Sequence, residues 1–523
     1  MNLNLSTIDI TIFVIYLLAI IVIGIIASRK GQKTKRDYFL AGDKLPWYMV
    51  GGSIIAANIS SHHLVGAMGV AYERGFVAVV IEWGAILIGF NVLLWIFLPF
   101  YIRNGFYTVP EFLHKRFGTG ARTVYSVLIL FTYVLVEISG VLYLGALALH
   151  SLIDIPIMTS VLVLAILTGV YTIAGGLRAV VWTEMLQLTI LIIGGITLTF
   201  ATLNATGGWS AVWETSKDWD LVLPANDPDF PWTMYLGGML CISVFYCATN
   251  QFMVQRVMAA KNEWHARMGV IFGDYLKFLV PLIIVVPALV APKIFPNLEQ
   301  PDLLFPMLVE ELLPAGLVGL VMAGLISAIM SHLSGAINSC TTILTVDVYL
   351  PYFKKNASDK QAVRFGRISG TVVIIIGILC TGLFLNHSDK PVFLYLLNAY
   401  GLFTPGIAAM FLLGILWKRT THAGALAAGL LTIPMSIAME ILFPEMPFFN
   451  RTGIVFWACM LLCVGVSLLT KPKPESQLVG LIWTRDSLSL PEEERGLNKG
   501  VRNPFIWWAL ITLVVLYFYI RYA

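Results

Sequence analysis

Apolar runs of membrane-spanning length follow one another along almost the whole chain, separated by short polar turns. A helix needs about 20 mostly apolar residues to cross the hydrocarbon core of a bilayer. By that measure fourteen spans are expected, at about 7–28, 46–73, 76–102, 121–151, 156–174, 179–204, 233–257, 267–293, 314–345, 364–386, 393–417, 421–442, 452–470 and 504–521. The expected fold class is an all-α membrane protein with 14 transmembrane helices. The first run, Ile8 to Ile26, has no small-residue cleavage site behind it and reads as a span, not a signal peptide. The longest loops, 205–232 and 471–503, are too short and polar to build a core, so no soluble domain is expected.

Two spans break the apolar pattern. Asn58-Ile59-Ser60-Ser61-His62-His63 lies between Gly51-Gly52 and Leu64-Val65-Gly66. Polar groups in hydrocarbon are costly unless they face a protein interior or a wet cavity. Irregular backbone at membrane depth is tolerated only where it lines such a site. The second interruption, Tyr246-Cys247-Ala248-Thr249-Asn250-Gln251, follows Gly237-Gly238 in the same way. Paired broken spans are the sequence mark of a transporter whose binding site lies between inverted repeats. Tyr246 and Asn250 therefore join His63 as candidates for that site.

Composition agrees with a polytopic membrane protein. The chain is 58% hydrophobic and 12% charged, against about 25% charged in soluble domains. All six cysteines lie in apolar segments, so no disulfide framework is expected. Lysine and arginine concentrate on one alternate set of loops, after the first, third, fifth, seventh, ninth, eleventh and thirteenth spans. Cytoplasmic loops carry this excess, so a plasma (inner) membrane location with both termini extracellular or periplasmic is expected. The chain has no Gly-x-x-x-x-Gly-Lys-Ser/Thr phosphate loop and no His-Glu-x-x-His motif. ATP-driven transport is disfavoured, an enzyme is not expected, and neither is a nucleic-acid partner.

Several ionisable residues fall inside the spans. Lys277 sits one turn after Asp274; the two either neutralise each other or leave the lysine pointing into a polar cavity. Glu82, beside Trp83, has no basic residue within a turn, and Glu137 is similar. Glu184 and Asp347 lie near cytoplasmic ends of spans, within snorkelling range. The segment Ser327 to Ser339 is rich in small and hydroxylated residues, including Ser331 next to His332. That composition suits close helix packing or, equally, coordination of a hard cation by clustered oxygens. Carbonyls freed by a break at Asn58-Ile59 would complete such a sodium-sized site.

The chain resembles the solute:sodium symporter family, with its sodium/glucose cotransporters. The resemblance is carried by Ala57-Asn58-Ile59-Ser60, Glu82-Trp83, Tyr107-Thr108-Val109-Pro110-Glu111-Phe112 and Gly175-Gly176-Leu177-Arg178 running to Thr183-Glu184. Asn250-Gln251, Leu276-Lys277-Phe278-Leu279-Val280-Pro281, Asn338-Ser339 and Trp417-Lys418-Arg419 add to it. It implies a LeuT-like core of two inverted five-helix repeats with broken first and sixth core helices. The division would be an extra helix and cytoplasmic loop (1–45), a first repeat (46–204), an extracellular loop (205–232), a second repeat (233–417) and three peripheral helices (418–523).

By the same resemblance, sodium would be held by the carbonyls of Ala56, Ile59 and Ala328 and the hydroxyl of Ser331. His332 stands where the family has a second hydroxyl, and Glu184 where some relatives have an acid on the ion path. Solute would be held by His63, Glu82, Ser243 and Lys277, with Asn250 nearby. Leu397 stands in place of a glutamine, beside Asn398. Tyr246 would be the inner gate and Phe393 part of an outer gate in which Ala67 and Ile81 are small. The implied function is import of a neutral polyhydroxylated solute, a sugar or polyol, with sodium. Proton coupling, an inositol-like or organic-acid solute, and a ligand-gated channel or sensor on the same scaffold stand as alternatives.

Overall fold

The computed structural model describes residues 5–29, 34–60, 62–385 and 392–523. Apart from shorter helices in the loops, its helical elements are α1 (Thr7–Arg29), α2 (Trp47–Asn58), α3 (His63–Arg103), α4 (Thr119–His150), α5 (Ile157–Thr206), α6 (Gly238–Thr249) and α7 (Gln251–Met258). They continue as α8 (Glu263–Lys293), α9 (Leu317–Phe353), α10 (Asp359–Gly382), α11 (Val392–Leu416), α12 (His422–Leu442), α13 (Phe448–Leu469) and α14 (Pro504–Arg521). All but α2, α6 and α7 are long and apolar enough to cross a membrane, which makes eleven among the described residues. The three short ones are parts of the two spans whose apolar pattern is broken.

Two elements are longer than one bilayer crossing and turn at a glycine. In α3 the turn is at Gly75, with φ 73°. In the 50-residue α5 it is at Gly176, with φ 55° and ψ −158°, a conformation open essentially to glycine alone. There the Tyr38 carbonyl oxygen would lie 2.3 Å from an added Cβ, so the position excludes a side chain twice over. The expected spans 156–174 and 179–204 are the two arms of α5.

The centre of the molecule is α9, buried along most of its length and packed on α5, α1 and α2. Lipid gives helices no hydrophobic reason to associate, so small residues that allow close backbone approach must supply the packing. At Gly51 of α2, an added Cβ would stand 2.3 Å from the Gly269 carbonyl of α8. In contrast, α1, α12 and α14 expose long apolar faces, among them Ile15, Leu18, Ile441, Leu513 and Ile520. Apolar surface of that extent suits lipid and not water.

Candidate site at the two broken helices

The last helical bond of α2 is Ile59 N–H to Ile55 carbonyl, 3.0 Å, after which Ile59 is extended (φ −77°, ψ 122°). The carbonyls that follow have no helical partner, and α9 supplies substitutes. Ser331 Oγ donates to the Ala56 carbonyl at 2.7 Å and lies 3.1 Å from the Ala328 carbonyl. Three of the four oxygens expected to hold a cation thus converge. His332 does not join them: its Nδ1 lies 2.9 Å from the Ala57 carbonyl and its Nε2 lies 2.6 Å from Glu137 Oε2. A carbonyl only accepts, so Nδ1 carries a hydrogen. The expectation of His332 as an ion ligand is corrected: both of its nitrogens are already committed.

The second break is built alike. Asn250 is extended (φ −85°, ψ 121°), and its Oδ1 caps α7 by accepting Phe252 N–H at 3.0 Å. Tyr133 donates its hydroxyl to the same oxygen. Tyr101 and Tyr125 satisfy the freed carbonyls of Ala248 and Thr249, at 2.9 and 2.5 Å. Asn250 is fully buried and does not line the cavity described next, which corrects its expected place among the solute ligands. The cap was legible as an asparagine directly before a helix start.

Between the breaks lies a cavity of about 200 Å³ whose lining includes His63, Glu82, Ser243, Tyr246 and Lys277. Lys277 Nζ donates to Glu82 Oε2 at 2.5 Å and to Asn58 Oδ1 at 2.7 Å. The Asn58 amide donates to the Tyr246 hydroxyl at 3.3 Å. His63 accepts the Ser60 N–H at Nδ1, which leaves the Nε2 hydrogen for Glu82 Oε1 at 3.1 Å. Glu82 has therefore found two partners that lie far from it in sequence. Asp274 is not one of them: its Oδ1 is buried without a hydrogen bond among the described residues. The self-neutralising reading of Asp274 and Lys277 fails, because the lysine turns to Glu82 and Asn58. Ser243 Oγ is also buried, without a partner among the described residues. Ala67, Ile81 and Cys247 contribute apolar lining. The side chains of Phe393, Leu397 and Asn398 lie outside the described residues.

Sequence reasoning marked Glu137 and His332 without placing them in this lining, and it missed Tyr400. Glu137 accepts the Tyr400 hydroxyl at Oε1 while its Oε2 faces His332. Nothing in the local sequence of α4, α9 or α11 signals that they meet.

Glu184 lies elsewhere. It is fully buried, paired with Arg256 at 2.5 Å, and it accepts the Ser53 hydroxyl. Snorkelling is thus excluded for it, and it does not line the cavity. Asp347 is likewise buried and bound to Arg122 at 2.7 Å, not interfacial.

The model of the sodium:solute symporter family matches residues 38–432. The chain belongs to this family. Among its relatives, a sodium/glucose cotransporter of Vibrio parahaemolyticus is 35% identical over 89% of this chain and 91% of its own length. A sodium/myo-inositol cotransporter of Homo sapiens is 32% identical over 93% and 77%. Sodium/glucose cotransporter 1 of Oryctolagus cuniculus is 31% identical over 93% and 82%. In fold, the chain matches a sodium-coupled sialic acid symporter in a substrate-bound outward-open state, with a TM-score of 0.79 and 22% identity. That match covers 90% of this chain and 99% of the symporter. A nucleobase-cation-symport-1 family transporter in a closed conformation matches with a TM-score of 0.56 at 14% identity.

Proposed function

We propose that this family member carries sodium and a sugar or related polyol inward together by alternating access. The observation that carries the reading is the meeting of a polar cavity with the broken end of α2. There the Ala56 carbonyl already shares the Ser331 hydroxyl. The names of the sodium/glucose and sodium/myo-inositol relatives support the solute class.

In this reading, sodium is cargo that draws together the oxygens of Ala56, Ile59, Ala328 and Ser331, a hard-donor set suited to it. His63, Glu82, Lys277 and the unpartnered Ser243 hydroxyl bind the solute's hydroxyls, which both donate and accept. Tyr246 closes the cavity from below. Asn58 joins the two events: it ends the helix that holds the ion and donates to the gate tyrosine. Release of sodium frees α2 and, through Asn58, loosens Tyr246. The chain crosses the membrane fourteen times, with the inverted repeats at 46–204 and 233–417 and both termini outside.

The test is uptake of labelled glucose or myo-inositol into proteoliposomes, with an inward sodium gradient or with choline in its place. Transient accumulation above the equilibrium level is expected with sodium alone. Uptake that ignores sodium would reject the coupling.

A further inference from the structure

We propose that Glu137 is a second solute-binding carboxyl of the cavity, and that it makes the site select uncharged, hydroxyl-rich solutes over carboxylates. The inference rests on the transport reading above and specifies its substrate class.

Glu137 stands on α4 and lines the same cavity as Glu82. It is held by two other cavity residues, the Tyr400 hydroxyl at one oxygen and His332 Nε2, 2.6 Å away, at the other. His332 is itself fixed by its Nδ1 hydrogen on the Ala57 carbonyl, at 2.9 Å. The carboxyl thus cannot swing away, which is how a binding group is kept in a productive position. A carboxylate offers about four lone-pair positions, and two are taken. The others have no partner among the described residues and can accept solute hydroxyls entering the cavity. His332 acts here as a positioning residue, not as a ligand.

The cavity's charge gives the selectivity. Lys277 is bound to Glu82 at 2.5 Å, and His63 accepts a backbone N–H and so is neutral against the same carboxylate. Whichever of His332 and Glu137 holds the proton between them, the described lining has no surplus cation. An anionic solute would have to enter against two acidic side chains and displace one of them from its partner. Like charges brought together in a desolvated site repel strongly. A neutral polyol instead donates hydroxyls to groups that accept. The likeness in fold to a sialic acid symporter therefore does not extend to the solute's charge.

The experiment measures binding of D-glucose, myo-inositol and D-glucuronate to purified full-length protein, in sodium chloride and in choline chloride. With sodium, the wild type should bind a neutral probe at least about tenfold more tightly than glucuronate. Glu137→Gln should weaken the neutral probe about tenfold, the scale of one charge-assisted hydrogen bond, and narrow the gap to glucuronate. Thermal stabilisation by sodium alone should persist in that variant. Glu137→Asp, which withdraws the carboxyl by one methylene, and Tyr400→Phe, which unfastens it, should move affinity the same way; they decide the matter if Glu137→Gln does not fold. Unchanged neutral-probe affinity in the folded variants, or glucuronate bound as tightly as glucose, would overturn the proposal and leave sodium symport standing. Absence of any sodium-dependent binding in the wild type would overturn the transport reading and this inference with it.

Discussion

At the scale of single residues, Lys277 shows how a charge is kept inside the membrane. Its ammonium group is almost fully buried and lies between Glu82 and Asn58. Removing one member of a buried ion pair costs about 3–5 kcal/mol, because the other is stranded, while removing both for apolar groups is far milder. Glu82→Ala should therefore lower the melting temperature in detergent more than the double variant Glu82→Ala/Lys277→Met, although both lose solute binding. A double variant that melts below both single variants would show that the pair stabilises the fold outright. The comparison separates the structural part of the pair from its part in binding.

At the scale of elements, the breaks were legible and their partners were not. Polar runs at Asn58 and Asn250 marked where helices stop, because a broken backbone in lipid needs polar groups and a cavity beside it. The structure ends α2 at Asn58 and begins α7 just after Asn250. Which side chains would complete the breaks was set by packing between helices distant in sequence. His332 meets Glu137 and Arg256 meets Glu184 across α9, α4, α7 and α5, contacts that no helical period encodes. The resemblance grouped Ser331 with Ala56 and Ala328, and Lys277 with Glu82, and these side chains lie beside those groups in the fold. It did not foretell that His332 is held between the Ala57 carbonyl and the Glu137 carboxyl, or that Asn250 Oδ1 caps α7. Gly175-Gly176 was read as part of a motif, and its physical reason is the turn inside α5. Gly176→Ala should sharply reduce the folded fraction recovered by size-exclusion chromatography. Backbone at φ 55° and ψ −158° costs an ordinary residue about 1–3 kcal/mol, and the Tyr38 carbonyl leaves no room for a Cβ. Gly382→Ala is the control, in α10 with nothing within 4 Å of the added atom; it should be neutral or slightly stabilising. Equal recovery of both variants would reject the turn as a constraint.

At the scale of the whole molecule, contacts between loops sort into two sets that follow the alternation of the chain. One set ties Arg103 to Glu263, Lys418 to Glu475 and Lys473 to the Lys115 carbonyl. The other ties Arg74 to Asp227, Lys293 to Glu214, and Leu221 N–H to the Tyr522 carbonyl. No ion pair among the described residues joins a loop of one set to a loop of the other. Asp9 near the start of the chain accepts the N–H groups of Gly316 and Gly319 at 2.8 and 2.7 Å, at the end of α9 that belongs to the second set. Both ends of the chain are thus fastened to the same set, as an even number of crossings requires. The first set carries most of the lysine and arginine, and a membrane protein keeps that excess in the cytoplasm. The termini should then face outward. Ala523→Cys and Asn356→Cys place single reporters at an exposed position in each set, over native cysteines of which five are buried. In right-side-out vesicles a membrane-impermeant maleimide should label Ala523→Cys at once, and Asn356→Cys only after permeabilisation. The reverse pattern would invert the molecule in the membrane, and immediate labelling of both would break the even count of crossings.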